Sequence, residues 1–322
     1  MAIEPSQRDN TPSALQELLQ IVRGPFNKQS PPPTQPSMGF FTDTSLCIGC
    51  KACEVACKQW NQLPAQNPLW TGSSYDNTGQ LTAITWRHVQ FIEQLEPVLP
   101  AIPPPIPLFE SRVTAAQSNG TIPRTPPGTA LPFFSSDRWL MRSDVCKHCA
   151  NAPCQEACPT GAIIRTEFDT VYVQQDICNG CGYCVVACPF GVIARDEHGD
   201  HHAHKCTLCY DRMKDGMVPA CAKACPTESI QYGPLEQLKT HARERLGLLQ
   251  QRGVKEAQLY GVDDTILDGG LNSFFLLLDE PEVYNLPENP SRPSNHVAPA
   301  SFWTIIAAML LGLLGILFFK SE

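Results

Sequence analysis

The sequence lacks an excess of positive charge, because 24 lysines and arginines stand against 32 aspartates and glutamates, for a formal net charge of −8. Proteins that bind nucleic acid usually present a basic face, so this balance argues against nucleic acid as a partner. The first residues, MAIEPSQRDNTPSALQELLQ, lack an apolar signal core and twin arginines, so no export signal is expected there. Glycine-rich nucleotide fingerprints and the C-x-x-C-H motif of covalent haem are also missing.

What the sequence has in excess is cysteine, with 16 in 322 residues. None of these cysteines stands alone, because they fall into four groups of four. The four quartets are Cys47, Cys50, Cys53 and Cys57; Cys146, Cys149, Cys154 and Cys158; Cys178, Cys181, Cys184 and Cys188; and Cys206, Cys209, Cys221 and Cys225. Disulfide frameworks belong mainly to small secreted domains, so a chain of this length without an expected export signal does not fit that class.

The spacing within the quartets is typical of iron–sulfur ligands. The third quartet, CNGCGYCVVACP, follows the C-x2-C-x2-C-x3-C-P pattern of bacterial ferredoxins, which bind [4Fe–4S] clusters. The first quartet keeps this spacing with Lys58 in place of the proline, and the second and fourth lengthen the gap before their third cysteine. Structural zinc sites rarely space their cysteines in this way. The sequence therefore predicts four [4Fe–4S] clusters, and a membrane-anchored zinc scaffold is the alternative.

The quartets are predicted to exchange ligands in pairs. In two-cluster ferredoxins each run of cysteines gives three ligands to one cluster and its fourth to the other. Only nineteen residues, Pro159 to Ile177, separate the second and third quartets, which suits one ferredoxin-like unit, and the first and fourth then form another. The predicted ligand sets are Cys47, Cys50, Cys53 and Cys225 for cluster 1; Cys57, Cys206, Cys209 and Cys221 for cluster 2; Cys146, Cys149, Cys154 and Cys188 for cluster 3; and Cys158, Cys178, Cys181 and Cys184 for cluster 4.

The rest of the chain predicts an α+β fold with long loops. Residues 1–37 are polar and end in a Pro-rich stretch, so we expect a flexible lead-in. The four-cluster domain is expected over 38–233, with a Pro-rich insertion at 97–133 that forms a surface loop or, alternatively, a ligand for a partner. An extension over 234–298 begins with a periodic helix and contains the apolar strand NSFFLLLD.

The tail of the chain holds twenty uncharged residues, Ala300 to Phe319. A helix of this length spans about 30 Å, which is the thickness of one hydrocarbon core. A buried core helix would be shorter and amphipathic. The sequence therefore predicts a single transmembrane anchor over 299–320.

Several stretches of the chain resemble the iron–sulfur (beta) subunit of membrane-bound formate dehydrogenase, within the wider group of four-cluster ferredoxin subunits of molybdopterin oxidoreductases. The resemblance rests on GFFTDTSLCIGCKACEVACKQWN, on the order of the quartets, on LLLDEPEVYNLPENP and on the apolar tail. It covers residues 38–63 and 138–320 and does not extend to the lead-in or the Pro-rich insertion.

This resemblance implies an electron-transfer subunit without a catalytic site of its own. Electrons released from formate by a molybdopterin-containing alpha subunit would pass through the four clusters to a membrane cytochrome b subunit and quinone. The chain would lie at the inner membrane, anchored in the lipid bilayer, with its cluster domain in the periplasm. Every cysteine is already assigned to a cluster, which agrees with catalysis in another chain. The alternative is the equivalent subunit of a polysulfide, dimethyl sulfoxide or tetrathionate enzyme.

Overall fold

A computed structural model describes residues 33–65, 72, 75–97 and 134–319, apart from the side chains of 95–97, 134–137, 296–300, 302, 317 and 319. Most of the predicted lead-in and of the Pro-rich insertion lies outside these residues. Within them, short helices alternate with strands, which confirms the expected mixture of α and β structure.

The strands in chain order are β1 (Met38–Asp43), β2 (Arg87–Pro97), β3 (Phe134–Val145), β4 (Ile163–Arg165), β5 (Val171–Val173), β6 (Ala194–Arg195), β7 (Ala203–His204), β8 (Ile230–Pro234), β9 (Gln258–Tyr260) and β10 (Ser273–Leu277). The α-helices are α1 (Ala52–Trp60), α2 (Pro153–Glu156), α3 (Tyr183–Ala187), α4 (Tyr210–Lys214), α5 (Ala220–Lys223), α6 (Leu235–Gln251) and α7 (Pro293–Phe319).

A four-stranded sheet with the order β8, β1, β10, β9 connects the two ends of the described chain. Strand β1 pairs antiparallel with β8 and parallel with β10, in a register that places Phe41 opposite Phe274. All five residues of β10 are buried, as expected of a strand that is covered on both faces. This strand confirms the prediction made from the run NSFFLLLD.

Helix α6 packs on the sheet and confirms the predicted periodic helix. Its buried side chains are Leu235, Leu238, Ala242 and Leu249. They share a hydrophobic cluster with Phe41 and Phe274, whose rings stack with centroids 5.5 Å apart. Arg245 Nε on the same helix donates to Asp43 Oδ2 at 2.8 Å, which fixes α6 to the end of β1. The extension expected over 234–298 thus contributes to the central sheet.

The cysteine-bearing segments lie beside an antiparallel ribbon of β2 and β3, whose register places Arg87 opposite Val145. Two hydrophobic clusters in this part of the molecule contain cysteines among their buried members, whereas the cluster under α6 contains none. Hairpins β4–β5 and β6–β7 close the loops between the quartets. Cysteine sulfur therefore takes the place of part of an ordinary apolar core.

The last helix, α7, runs for 27 residues. At its start the Arg292 guanidinium donates to Glu156 Oε1 at 2.9 Å and to Asp268 Oδ2 at 2.6 Å. Large apolar side chains such as Trp303 and Leu311 are exposed along it. Within the described part of the chain, no helix combines the length and the hydropathy needed to cross a membrane, so the span expected over 299–320 is not confirmed.

Candidate functional site: four groups of cysteine sulfur

The first quartet is positioned by a tight loop between β1 and α1. Gly49 and Lys51 both have left-handed backbone conformations, with φ of 68° and 59°. A Cβ added at Gly49 would lie 2.7 Å from the ring of Phe91, so the loop approaches β2 too closely for a larger residue. Cys53 and Cys57 follow one helical turn apart on α1, and both are buried. The helix runs on to Trp60, as the substitution of Lys58 for proline predicts.

Cysteines from the first and fourth quartets meet around one small cavity. This cavity is lined by Cys47, Cys50, Cys53 and Cys225. Burial raises the pKa of the Cys47 thiol, and the negative charges of Cys225 and Cys50 raise it further. The structure therefore brings together the four residues predicted for cluster 1, although Cys225 is far from the others in the chain.

A second cavity collects cysteines from the second and third quartets. The sulfur-bearing residues that line it are Cys146, Cys149, Cys154 and Cys188. Burial raises the pKa of Cys149 well above its ordinary value, and the charges of the other three thiols raise it further. These are the residues predicted for cluster 3.

The two remaining groups are recognised by the mutual repulsion of their sulfur atoms. Burial raises the pKa of Cys57 well above its ordinary value, as do Cys206, Cys221 and Cys209. Burial also raises the pKa of Cys184 to about 11, together with the charges of Cys178, Cys181 and Cys158. The neighbours of Cys57 and Cys184 are those predicted for clusters 2 and 4.

This donor set fits iron–sulfur clusters. Thiolates are the ligands of iron, and burying four of them close together without the positive charge of iron is unfavourable, which is why these pKa values rise. Backbone N–H groups also reach sulfur: Ala203 donates to Cys178 Sγ at 3.4 Å and Leu208 to Cys206 Sγ at 3.3 Å. Such bonds stabilise thiolate charge and are a usual feature of cluster loops.

The four groups follow one another in a row. Neighbouring groups contain cysteines whose charges act on each other across the group boundary. These pairs are Cys53 with Cys221, Cys206 with Cys146, and Cys154 with Cys184. Packing agrees with this order, because one hydrophobic cluster contains cysteines of the first three groups and another contains cysteines of the last two. The row therefore runs from the group of cluster 1 through those of clusters 2 and 3 to that of cluster 4.

Exposure changes along this row. Cys50 in the first group and Cys181 in the last are exposed, whereas all four cysteines of the second group are buried. Exposed apolar side chains lie close to both residues in the chain: Ile48 and Val55 are 59% and 66% exposed near Cys50, and Val186 is 88% exposed near Cys181. An exposed cysteine with exposed apolar side chains nearby in the chain is therefore found at each end of the row.

Three buried cations among the groups were not predicted from the sequence. Arg87, Lys147 and Lys205 are each 3% exposed or less. Lys205 Nζ donates to the carbonyl oxygen of Cys206 at 3.1 Å. Two of the three follow or precede a quartet cysteine directly in the chain, Lys147 after Cys146 and Lys205 before Cys206, and this adjacency is a usable sequence signal. Arg87 has no such neighbour, so only the fold reveals it.

Two side chains near the quartets have structural roles. His148, between two cysteines, is fully buried, and its Nδ1 accepts the N–H of Val171 at 3.1 Å. Trp60 Nε1 donates to Asp211 Oδ2 at 2.8 Å, and the Arg212 guanidinium carbon lies 4.2 Å from the Trp60 ring centroid. Both contacts agree with packing and hydrogen bonding near the clusters.

The histidine-rich turn between β6 and β7 brings together Asp196, Asp200 and His204 within metal-ligand distance of one another. His204 Nε2 lies 2.9 Å from Asp200 Oδ1. Asp196 and Asp200 also accept backbone N–H groups of the turn, so the geometry is explained by the turn itself.

Comparison with known proteins indicates the same cofactor class. Two family models described as a 4Fe–4S dicluster domain match residues 46–162 and 137–235. The formate dehydrogenase iron–sulfur subunit of Haemophilus influenzae is 36% identical over 254 residues, which is 77% of this chain and 68% of that protein. The formate dehydrogenase-O iron–sulfur subunit of Escherichia coli is 34% identical over 297 residues, covering 90% of this chain and 85% of that protein.

A more distant relative comes from another enzyme. The B subunit of the anaerobic dimethyl sulfoxide reductase of Escherichia coli is 29% identical over 201 residues, or 62% of this chain and 75% of that protein. Two dicluster domains and sixteen cysteines in four groups correspond to four [4Fe–4S] clusters, so the chain is an electron-transfer protein that carries four of them. With relatives this similar over most of its length, the chain belongs to the family of formate dehydrogenase iron–sulfur subunits.

Proposed function

We propose that this chain is the non-catalytic electron-transfer subunit of a formate dehydrogenase, placed between a molybdopterin-containing catalytic subunit and a membrane cytochrome b subunit that reduces quinone. The observation that supports the proposal is the order of the four cysteine groups, with one exposed cysteine and nearby exposed apolar side chains in the first group and in the last. A relay needs two such ends, one for the electron donor and one for the acceptor. Two curated relatives that match most of this chain are named as subunits of formate dehydrogenases, which favours formate as the electron source.

The ligand assignment is part of this proposal. Cluster 1 is held by Cys47, Cys50, Cys53 and Cys225; cluster 2 by Cys57, Cys206, Cys209 and Cys221; cluster 3 by Cys146, Cys149, Cys154 and Cys188; and cluster 4 by Cys158, Cys178, Cys181 and Cys184. Bound clusters supply one-electron redox sites. The residues of the chain hold them in order, exclude water from the inner two and donate N–H groups to their sulfur atoms.

The assignment is tested by comparing three single substitutions in the purified complex. Cys57→Ala, Cys209→Ala and Cys50→Ala are each examined by electron paramagnetic resonance after reduction with dithionite. Cys57→Ala and Cys209→Ala should alter the same cluster signal, because both residues belong to cluster 2, and Cys50→Ala should alter another. If Cys57→Ala reproduces the changes of Cys50→Ala and not those of Cys209→Ala, the exchange of ligands between quartets is wrong.

The electron source is tested by adding formate to the complex isolated from membranes. We expect a catalytic subunit with molybdopterin and a cytochrome b to co-purify, and formate alone to bleach the broad absorbance near 400 nm that is typical of iron–sulfur proteins. Bleaching by dithionite but not by formate would reject the formate assignment. Re-oxidation of the reduced clusters by dimethyl sulfoxide, polysulfide or tetrathionate would identify the alternative enzymes, and a colourless protein would indicate zinc.

We further propose that α7 anchors the chain in the inner membrane. The support is the uncharged run from Ala300 to Phe319, some of whose side chains lie outside the described residues, and the exposure of the apolar side chains that are described along α7. Small residues at Gly312 and Gly315 leave room for a neighbouring helix, as in many membrane interfaces. A chain that ends at His296 should keep its clusters but leave washed membranes. Retention of that truncated chain in the membrane fraction without partners would contradict the proposal.

The cluster domain is proposed to lie on the periplasmic side of the membrane, as the family resemblance implies. Protease added to spheroplasts should then digest the cluster domain of the assembled complex. The control is a cytoplasmic protein in the same preparation, which should be protected until lysis. Equal protection of the cluster domain and this marker would assign the domain to the cytoplasmic side.

A further inference from the structure

Arg87 lies at the boundary between the first and second cysteine groups. It is the first residue of β2 and is only 1% exposed, although arginine is seldom buried without a charged partner. Burial alone would lower the pKa of Arg87, but neighbouring thiolates outweigh it and raise the pKa above its ordinary value. The sulfur atoms responsible belong to Cys221, Cys53, Cys206 and Cys57. One is a ligand of cluster 1, and three are ligands of cluster 2 in the proposed assignment.

Only part of the Arg87 guanidinium is satisfied by protein. Nη1 donates to Ser143 Oγ at 2.8 Å, and the guanidinium carbon lies 5.0 Å from the centroid of the Phe40 ring. Among the residues that the structure describes, Nε and Nη2 have no acceptor, although both atoms are buried. Leaving charged N–H groups buried without an acceptor is strongly unfavourable. A partner with negative charge is therefore required on the side of the sulfur groups.

We propose that Arg87 is a shared counter-cation of clusters 1 and 2, which directs its free N–H groups at their sulfur atoms and raises the reduction potential of both. A [4Fe–4S] cluster with four thiolate ligands is anionic, and its negative charge increases when an electron is added. A fixed positive charge beside it stabilises the reduced form more than the oxidised form. Because arginine does not lose its proton in proteins, this effect holds over the whole working range of pH.

The contact with Ser143 sets the position of the cation. Ser143 lies on β3, on the other strand of the ribbon, and its Oγ is 3.2 Å from Cys53 Sγ. Arg87 and Cys53 are thus connected through one hydroxyl, while the cavity beside Cys57 is lined by Arg87 itself. The guanidinium is held by the β2–β3 ribbon and not by either cluster loop. It acts as a positioning and charge-tuning residue and does not take up or release electrons.

The test is a redox titration of the purified complex followed by electron paramagnetic resonance. Three variants are compared: Arg87→Gln removes the charge, Arg87→Lys keeps it, and Arg142→Gln is the matched control. Arg142 is 3% exposed on the same ribbon, but its guanidinium pairs with Asp144 and Gln90. Iron per chain is measured in each variant, so that a change of potential is separated from loss of a cluster.

We expect Arg87→Gln to shift the reduction equilibria of clusters 1 and 2 at least tenfold toward the oxidised forms, which is ~59 mV for a one-electron couple. Clusters 3 and 4 should shift by less. Arg87→Lys should restore most of the difference, and Arg142→Gln should leave clusters 1 and 2 unchanged. Unchanged potentials in Arg87→Gln with full iron content, or equal shifts in Arg87→Gln and Arg87→Lys, would overturn the proposal.

Variants of position 87 that do not bind all four clusters also test the role of Arg87. Assembly of clusters 1 and 2 with lysine but not with glutamine at position 87 would support a required counter-cation. Failure of both variants while Arg142→Gln assembles would indicate a packing role and overturn the proposal. The inference rests on the proposed ligand sets, but its failure is distinguishable from theirs. A wrong role for Arg87 leaves formate bleaching and the pattern of the cysteine variants as expected, whereas wrong ligand sets change that pattern in proteins with native Arg87.

Discussion

Replacing Ser143 with alanine should lower the reduction potential of cluster 1. The Ser143 hydroxyl accepts a hydrogen bond from Arg87 Nη1 at 2.8 Å, so its own proton is available to Cys53 Sγ at 3.2 Å. Burial raises the pKa of Cys53 to about 11, and this hydrogen bond opposes the rise by stabilising the thiolate. Because the reduced cluster places more negative charge on its sulfur atoms, the same bond favours reduction.

The size of the effect follows from the single bond that is lost. A hydrogen bond to a charged group contributes about 1.5–3 kcal/mol to stability. The added electron is spread over the whole cluster, so we assign about 1 kcal/mol of this to the difference between reduced and oxidised forms. With about 1.4 kcal/mol and ~59 mV for each factor of ten, the expected shift is roughly −40 mV.

The assay is the same redox titration, with Ser143→Thr as the control that keeps the hydroxyl. Cluster 1 should shift in Ser143→Ala and remain near its native potential in Ser143→Thr, while cluster 4 at the other end of the row should shift in neither. If Ser143→Ala with full iron content titrates like the native protein, the hydroxyl does not act on the cluster and the reasoning fails.

Further predictions concern stability. Asp43→Asn should destabilise the protein by about 2 kcal/mol, because the fully buried Asp43 carboxylate pairs with Arg245, and the 400 nm absorbance should therefore decay faster in urea. The control is Glu236→Gln, which removes an ion pair whose carboxylate is 82% exposed and should change this decay rate little. Equal decay rates in the two variants would contradict a stabilising role for the Asp43–Arg245 pair. Phe274→Ala should lower the free energy of unfolding by about 3–5 kcal/mol, because it leaves a cavity under α6, and the same urea assay measures it. Leu248→Ala, at a position of the same helix that is 48% exposed, should have little effect. Comparable losses of stability in the two variants would show that the Phe274 site is not close-packed. Hydrogen exchange should show that removing iron with a chelator abolishes amide protection around the quartets. Helix α6 and strands β1 and β10 should keep their protection, because the hydrophobic cluster that they share contains no cysteine. Simultaneous loss of protection in both regions would contradict this separation.

Local patterns in the sequence were sufficient to predict which segments carry the cysteines. The spacing of each quartet, the leucine period of α6 and the apolar run of β10 are properties of short windows, and the structure has each element where it was predicted. The grouping of Cys225 with Cys47 as ligands of one cluster stays a prediction, which follows from how ferredoxin runs exchange their fourth ligand. The geometry agrees with that grouping.

What could not be predicted depends on contacts between distant segments. The ribbon of β2 and β3 was not expected, because its strands flank the Pro-rich insertion and carry many charged residues instead of a clear alternation. From the sequence alone, Arg87 would be expected at the surface, like most arginines. Its burial beside the first two cysteine groups follows only from the position of β2 in the fold. The position of β1 between β8 and β10 was equally hidden, since periodicity shows which face of a strand is buried but not which strands are its neighbours.

The position of β1 has a consequence for the timing of synthesis. Thr44, directly after this strand, donates its hydroxyl to the carbonyl of Leu276, 232 residues later. At a usual translation rate, on the order of ten seconds or more must pass before the ribosome delivers that partner. During this interval the cysteines of the first quartet are already synthesised, but β1 is still unpaired on the side where β10 will lie. Closing so long a loop slows folding further. The thiols of this nascent chain therefore lack a folded site during that interval, and iron delivery is best matched to the completed chain.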